Sequence, residues 1–307
     1  MKLSTAISGI IRPYGLEEGL KAIADAGFEA IDYSITQNLM NWEDGFFQDI
    51  SHPAFAQHFK KIGKTVRDTG LEMGQCHAPY ASPTFSDLAF YANLQKQIIR
   101  SIYAAGYMET PYIVAHPVLD IAFCEGKNRE VALQTTLDHF SAMAPALKET
   151  GVTMCIENLF FYIREGNRWL PNFGSNAEDL CEVIDTLNAM HGPYFAACVD
   201  TGHAVTARND PAQLLRRLGS RTKVLHIQDT LSHKDAHLIP TFGTINWKDV
   251  TAALGEVGYR GTFNFEVSKP FINLTPDIYS REAFTHACSL LYTIGRALID
   301  LVESGAK

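Results

Sequence analysis

FAACVDTGHAVTARNDPAQLLRRLGSRTKVLHIQD, residues 195–229, contains one full repeat of the chain's architecture. The apolar run FAACVD (195–200) has the length and character of a strand buried on both faces, and it ends in Asp200. A polar turn then leads to Pro211, a residue suited to the first helical position, and the stretch to Leu218 reads as a helix stopped by Gly219. The chain next enters a second apolar run, KVLHI (223–227), which carries His226. Strand, helix and strand in this order make a βαβ unit with parallel strands. Both strands finish on side chains that ligate divalent cations, and in a parallel sheet those ends lie on one edge.

The same grammar extends outward. LEMGQCH (71–77), YIVAH (112–116), VTMCIE (152–157) and TFNFEV (262–267) finish on or beside His77, His116, Glu157 and Glu266. KLSTAIS (2–8) and EAIDYS (29–34) complete a set of eight predicted strands. Helical patterns fall between them at 16–27, 53–68, 86–105, 129–150, 176–190 and 247–257, with a last one at 281–303. Gly70, Gly106, Gly151, Gly192 and Gly258 punctuate returns from helix to strand. Right-handed crossovers through eight such units close a (β/α)8 TIM barrel, expected as one domain over residues 1–307, with the active site at the carboxyl ends of the strands. An open doubly wound sheet is the alternative, but the GxGxxG fingerprint and a composition break are both lacking. Phe160 to Ser175, with Tyr162, Arg164, Arg168, Trp169 and Phe173, reads as a long irregular connection and a candidate lid or substrate wall.

Composition agrees with an ordinary globular protein: 307 residues, 46% hydrophobic and 20% charged. The net charge of −8 argues against a broad cationic surface for nucleic acid. The 6 cysteines form no CxxC pair, and Cys76, Cys155 and Cys198 lie inside apolar runs, as buried thiols do. Neither a leader nor an apolar run long enough to span a membrane is evident, so a cytoplasmic location is expected.

Glu157, Asp200, His226 and Glu266 form the strongest group of polar residues. Any one of them alone would read as a hydrogen-bonded strand end. Three carboxylates converging in one pocket, however, require a cation or raised pKa values. The donor set suits one divalent ion, Mn²⁺ first, with Mg²⁺, Co²⁺ or Zn²⁺ as alternatives. Further candidates for substrate binding or a second metal are His77, His116, His203 in DTGHA (200–204), and the pair Asp235 and His237 in HIQDTLSHKDAH (226–237). Asp229, Asp235 and His233 also suit loop-fixing roles, and Asn158 suits either a substrate contact or a cap.

ENLF (157–160), DTGHA, HIQDTLSHKDAHLIPTFGTINW (226–247), ALGEVGYRGTFNFEV (253–267) and HAPY (77–80) together resemble the sugar phosphate isomerase/epimerase family of xylose isomerase-like barrels, within the endonuclease IV-like superfamily. The resemblance runs from about the third predicted strand to the eighth. It implies a metal-dependent sugar isomerase or epimerase holding one catalytic divalent ion with Glu157, Asp200, His226 and Glu266. It further implies that Glu157 and Glu266 act as catalytic acid and base at a carbon beside a carbonyl, as in ketose 3-epimerisation or isomerisation through an enediolate. In one place the chain departs from the family, whose usual Pro-Gly-x-Gly turn is replaced by Pro240, Thr241, Phe242 and Gly243.

Three alternatives are set beside this expectation. A lyase or dehydratase acting on a keto-sugar or keto-inositol would begin with the same proton removal. An endonuclease IV-type phosphodiesterase with several zinc ions would use all nine candidate positions, but the acidic charge opposes a DNA partner. A noncatalytic sugar binder would not need a carboxylate-rich metal site. The expected partner is a small carbohydrate, with no nucleic acid and no membrane, and a homo-oligomer is the default assembly. Lys269, Arg164 and Arg168 are candidate anion contacts, and Tyr14, Trp42 and Trp169 candidate stacking surfaces for a sugar.

Overall fold

The computed structural model describes residues 1–35, 45–80, 88–231, 234–267 and 281–305. Ten strands are present among these described residues: β1 (Leu3–Ala6), β2 (Ala30–Ser34), β3 (Glu72–His77), β4 (Tyr112–Ala115), β5 (Thr153–Glu157), β6 (Phe160–Ile163), β7 (Arg168–Pro171), β8 (Phe195–Asp200), β9 (Thr222–His226) and β10 (Phe263–Phe265). Eight of them form one sheet in the order β10-β1-β2-β3-β4-β5-β8-β9, all parallel. Ile227 closes the ring between the first and last members: its N–H donates to the Asn264 carbonyl at 2.8 Å and its carbonyl accepts from Glu266 N–H at 3.0 Å. The expected (β/α)8 barrel is therefore the fold.

Helices cover the outside. Those named below are α1 (Ser8–Tyr14), α2 (Leu16–Asp25), α3 (Gly45–Gln48), α4 (Pro53–Asp68), α5 (Leu88–Met108), α6 (Arg129–Ser141), α7 (Ala144–Thr150), α8 (Ala177–His191), α9 (Thr201–Thr206), α10 (Pro211–Leu218), α11 (Trp247–Glu256) and α12 (Arg281–Gly305). Local chemistry sets their ends. Asn176 accepts from Asp179 N–H to cap α8, and Asp210 accepts from Ala212 and Gln213 N–H to cap α10, with Pro211 in the first turn. Phe55, Phe59, Leu20 and Ile23 are fully buried where α2 and α4 pack on the barrel, each such side chain contributing roughly 1.5–3 kcal/mol.

Three sequence expectations need correction. The first strand stops at Ala6, and the chain turns at once into α1, which precedes the expected α2. The helix expected over 129–150 is two, broken at Ala142 and Met143. Pro145 explains the break, because in a continuous helix its ring would clash with the Ser141 carbonyl. The supposed irregular stretch is a hairpin in which β6 pairs antiparallel with β7, placing Tyr162 opposite Trp169 with their rings 4.8 Å apart. Its turn uses positive φ at Gly166 and Asn167. Trp42, His233 and Lys269 lie outside the described residues. No helix among the described residues is long and apolar enough to cross a membrane.

Candidate active site

Alternation along the strands determines what points into the barrel. Residues two apart share a face, so the candidate ligands at the strand ends sit above a layer made by Asp32, Gln75, Val114, Cys155, Cys198, Val224 and Asn264, all buried. Above that layer, Glu157 is the centre of the cluster, with a side chain 0% exposed. Its Oε1 accepts from His226 Nδ1 at 2.8 Å and lies 3.2 Å from His203 Nδ1. Its Oε2 lies 3.2 Å from His116 Nε2 and 3.4 Å from His77 Nε2. Glu266 approaches from the other side of β8 and β9, its Oε2 3.4 Å from His226 Nδ1 and 3.8 Å from His237 Nδ1.

Asp200 has two roles in the geometry. It ends β8 and also caps α9, accepting from His203 N–H at 2.6 Å. This cap turns His203 back over the strand ends, which is why the D-T-G-H spacing works. The glycine in that motif leaves room for Gln228, since a Cβ on Gly202 would sit 2.5 Å from Gln228 Cδ and displace that side chain. Asn158 acts on the backbone: its amide donates to the Asp200 carbonyl at 2.9 Å, and its side-chain oxygen accepts from Asp200 N–H at 2.8 Å. Asp229 fixes the following loop, accepting from Thr241 N–H, Ile245 N–H and Trp247 Nε1 at 2.9, 3.1 and 2.8 Å.

All nine candidate residues gather at this rim. Three sets of ligand atoms lie within 4.8 Å of one another: His77, Glu157 and His226; Glu157, Asp200, His203 and Glu266; and His203, Asp235 and His237. His203 thus joins Glu157, Asp200 and Glu266 more closely than the expected quartet suggested, while His226 borders the same two glutamates. Among the described residues, Glu157, Asp200 and Glu266 form ion pairs with histidines alone.

The electrostatics follow from this crowding. Burial pushes the Glu157 carboxyl up, but the charge on His226 and the hydrogen-bonding imidazoles outweigh it and hold the group well below the usual carboxylate range. Asp200 goes the other way: burial, reinforced by Glu266 and Glu157 and only partly opposed by His203, takes it to about 7. Burial disfavours the charged form of His203, yet Asp200 and Glu157 raise it to about 10. His237, desolvated but facing Glu266 and Asp235, rises to about 9. His116 is lowered by burial. Among the described residues, Glu266 Oε2, His203 Nδ1 and His116 Nδ1 are buried without a hydrogen-bond partner. Mixed nitrogen and oxygen donors, with Glu266 Oε2 and His203 Nδ1 in one ligand set, fit a divalent ion.

Sequence reasoning overlooked several members of the site. Asp32, on β2, accepts from His226 Nε2 at 3.1 Å. Gln228 donates to Asp200 Oδ2 at 3.1 Å and Asp235 Oδ1 at 3.3 Å, and it accepts from His237 N–H at 2.9 Å. Tyr80 of HAPY borders the mouth, its ring 5.0 Å from His116, and so does Phe160, the first residue of the expected lid or wall, its ring 5.2 Å from His203. Tyr14 instead packs on Phe284 at 4.7 Å, and Trp169 pairs with Tyr162.

Residues 20–285 match the family described as xylose isomerase-like TIM barrel. The uncharacterized protein y4fM of Sinorhizobium fredii is 23% identical over 299 residues, covering 90% of this chain and 88% of that one. A solved D-tagatose 3-epimerase-like protein superposes with a TM-score of 0.72 at 18% identity, covering 100% of both chains. The structure of IolI protein with a binding zinc atom gives 0.68 at 15% identity, covering 99% of both. At these identities the structural likeness speaks to the fold. The family match spans seven of the eight barrel strands and every residue of the strand-end cluster. By that match, the chain belongs to the xylose isomerase-like TIM-barrel family.

Proposed function

We propose that the protein is a metal-dependent sugar epimerase or isomerase that moves a proton at the carbon beside a ketose carbonyl. One observation carries this reading: Glu157, Asp200 and Glu266 converge with imidazoles on one pocket, where Glu266 Oε2 and His203 Nδ1 are buried without a hydrogen-bond partner among the described residues. Glu157, Asp200, His226 and Glu266 would hold one divalent ion, Mn²⁺ in the first instance. When bound there, such an ion would supply Lewis acidity toward the C–H beside the ketose carbonyl. The chain's own residues do the rest. Glu157 and Glu266 reach the shared space from β5 and from beyond β10, with β8 and β9 between them. One carboxylate takes the proton and the other returns a proton to the opposite face, so configuration inverts with no change in composition. His203, Asp235 and His237 offer donors and acceptors to sugar hydroxyls, and Phe160 and Tyr80 exclude water at the mouth. The names of the similar solved structures support a ketose as substrate.

The test is deuterium incorporation from D2O into ketoses, followed by NMR with Mn²⁺, after EDTA, and after Mn²⁺ is restored. We expect exchange that EDTA removes and Mn²⁺ recovers. Exchange that survives complete chelation ends the metal-dependent reading. The three adjoining ligand sets also support a second reading, a phosphodiesterase with several metal ions. Three zinc ions per chain by elemental analysis, with cleavage of abasic DNA and no exchange into ketoses, would put that reading in place of the first.

A further inference from the structure

The layer beneath the ligands is divided. On β4, β5, β8 and β9 it is Val114, Cys155, Cys198 and Val224, a small apolar cluster of the kind that fills barrel interiors. On β1, β2, β3 and β10 it is Ser4, Asp32, Gln75 and Asn264, all buried and polar. The polar half has one hub. Asp32 Oδ2 accepts from Gln75 Nε2 at 3.0 Å, His226 Nε2 at 3.1 Å and Asn264 Nδ2 at 3.2 Å. Asn264 is held in turn, its Oδ1 accepting from Ser4 Oγ at 2.8 Å.

A buried carboxylate is costly, and on β4, β5, β8 and β9 this barrel fills the same layer without one. His226 supplies the reason for the exception. Its Nδ1 faces Glu157 and Glu266, while Nε2 faces Asp32. A neutral imidazole carries one proton, so a ring that offers its Nδ1 lone pair to a cation must keep that proton on Nε2 and donate it downward. Gln75 on the neighbouring β3 and Asn264 on β10, one strand beyond β1, donate to the same Asp32 oxygen, fixing the acceptor beneath the ring.

Building on the proposed function, we infer that Asp32 is a positioning residue that fixes the tautomer and orientation of His226, presenting Nδ1 to a divalent cation. The test compares wild type with D32A, D32N and S4A. S4A strips a hydrogen bond from the same layer without touching the pair. Mn²⁺ dissociation constants come from EPR, and the His226 Nε2–H signal from NMR of metal-free protein labelled with ¹⁵N-histidine. D32A should weaken Mn²⁺ about 10- to 100-fold and lose the protected Nε2–H signal. D32N, close in shape and safer for folding, should weaken Mn²⁺ by a smaller factor, and S4A should stay near wild type. Mn²⁺ affinity and Nε2–H signal both unchanged in the Asp32 variants would overturn the inference, as would an equal loss of affinity in S4A. A wild-type protein that binds no Mn²⁺ ends the functional reading instead, and the Nε2–H signal then decides the Asp32 bond alone.

Discussion

Glu157 and Asp200 stand at the ends of adjacent strands, β5 and β8, whose pairing in register leaves both side chains fully buried. Asp235 and His237 hang from the loop that follows β9, with side chains 23% and 13% exposed and with His237 at φ 46°. The first wall is set by barrel hydrogen bonding and cannot move without opening the sheet. The second is held by side chains: Gln228 bridges Asp200 and Asp235, and Asp229 gathers the loop's backbone N–H groups. Glu266 belongs between them, anchored at its backbone by Ile227 but with a side chain 22% exposed. A rigid wall suits an ion that demands fixed ligands, and an adjustable wall suits a substrate that must enter and leave.

Exchanging the two glutamates for glutamine is the hardest test of that contrast. E157Q and E266Q should each lower proton exchange about 10²- to 10⁴-fold. They should part on metal, because Glu157 is common to two ligand sets and Glu266 belongs to one. Calorimetric titration with Mn²⁺ should show the larger loss of affinity in E157Q. Equal losses would mean that the buried wall has no special hold on the ion, and full exchange in either variant would remove that residue from the chemistry.

A second difference is expected between the metal-free and metal-loaded protein as pH rises. His203 and His237, raised to about 10 and about 9, gain stability from their acidic partners. For a histidine whose folded pKa lies above its unfolded value, that contribution is complete below about 6.5 and is lost as pH rises through the folded value. Asp200, pushed up to about 7, binds its proton in the folded state and adds to the same downward slope at the lower end of the window. Glu157, held well below the usual range, stays ionised throughout and adds none. Chelated protein should therefore lose Tm between pH 6.5 and 10, by on the order of 5–10 °C. Saturating Mg²⁺ should flatten the profile by displacing those protons. An equally steep profile with and without the ion would separate the imidazoles from the ion's site.

The two walls also differ in how plainly the amino-acid sequence announces them. His77, Glu157, Asp200 and His226 each end an apolar run, and parallel strands buried on both faces make a polar terminus conspicuous. The gathering of Asp235 and His237 depends on a loop whose path is set by Asp229 and Gln228, which no periodicity reports. Asp32 was overlooked although its signal was present: AIDYS places a carboxylate between Ile31 and Tyr33, inside a strand whose two faces are both buried. Gln75 and Asn264 carry the same mark. The hairpin was missed because Phe160 to Ile163 has apolar residues on both faces and so lacks alternation, although Glu165, Gly166 and Asn167 are turn formers.

Thr241 yields the smallest effect and the sharpest separation of the walls. It occupies the place where the resemblance anticipates glycine, and its φ of 79° lies in the region that a β-branched residue rarely adopts. The loop is held there by the Thr241 N–H donating to Asp229 Oδ2 at 2.9 Å, while Gly243 packs so closely that a Cβ would fall 2.2 Å from Asp229 Oδ1. The left-handed conformation costs a non-glycine roughly 1–2 kcal/mol, and glycine gives back about half of that through its freer unfolded chain. T241G should therefore stabilise the protein by about 0.5–1 kcal/mol, raising Tm by about 1–3 °C. Because Thr241 lies on the loop wall alone, Mn²⁺ affinity should not change, whereas KM should shift if the strain helps hold Asp235 and His237 toward the sugar. A lower Tm would show that the threonine is relaxed where it stands, and an altered Mn²⁺ affinity would show that the two walls move as one.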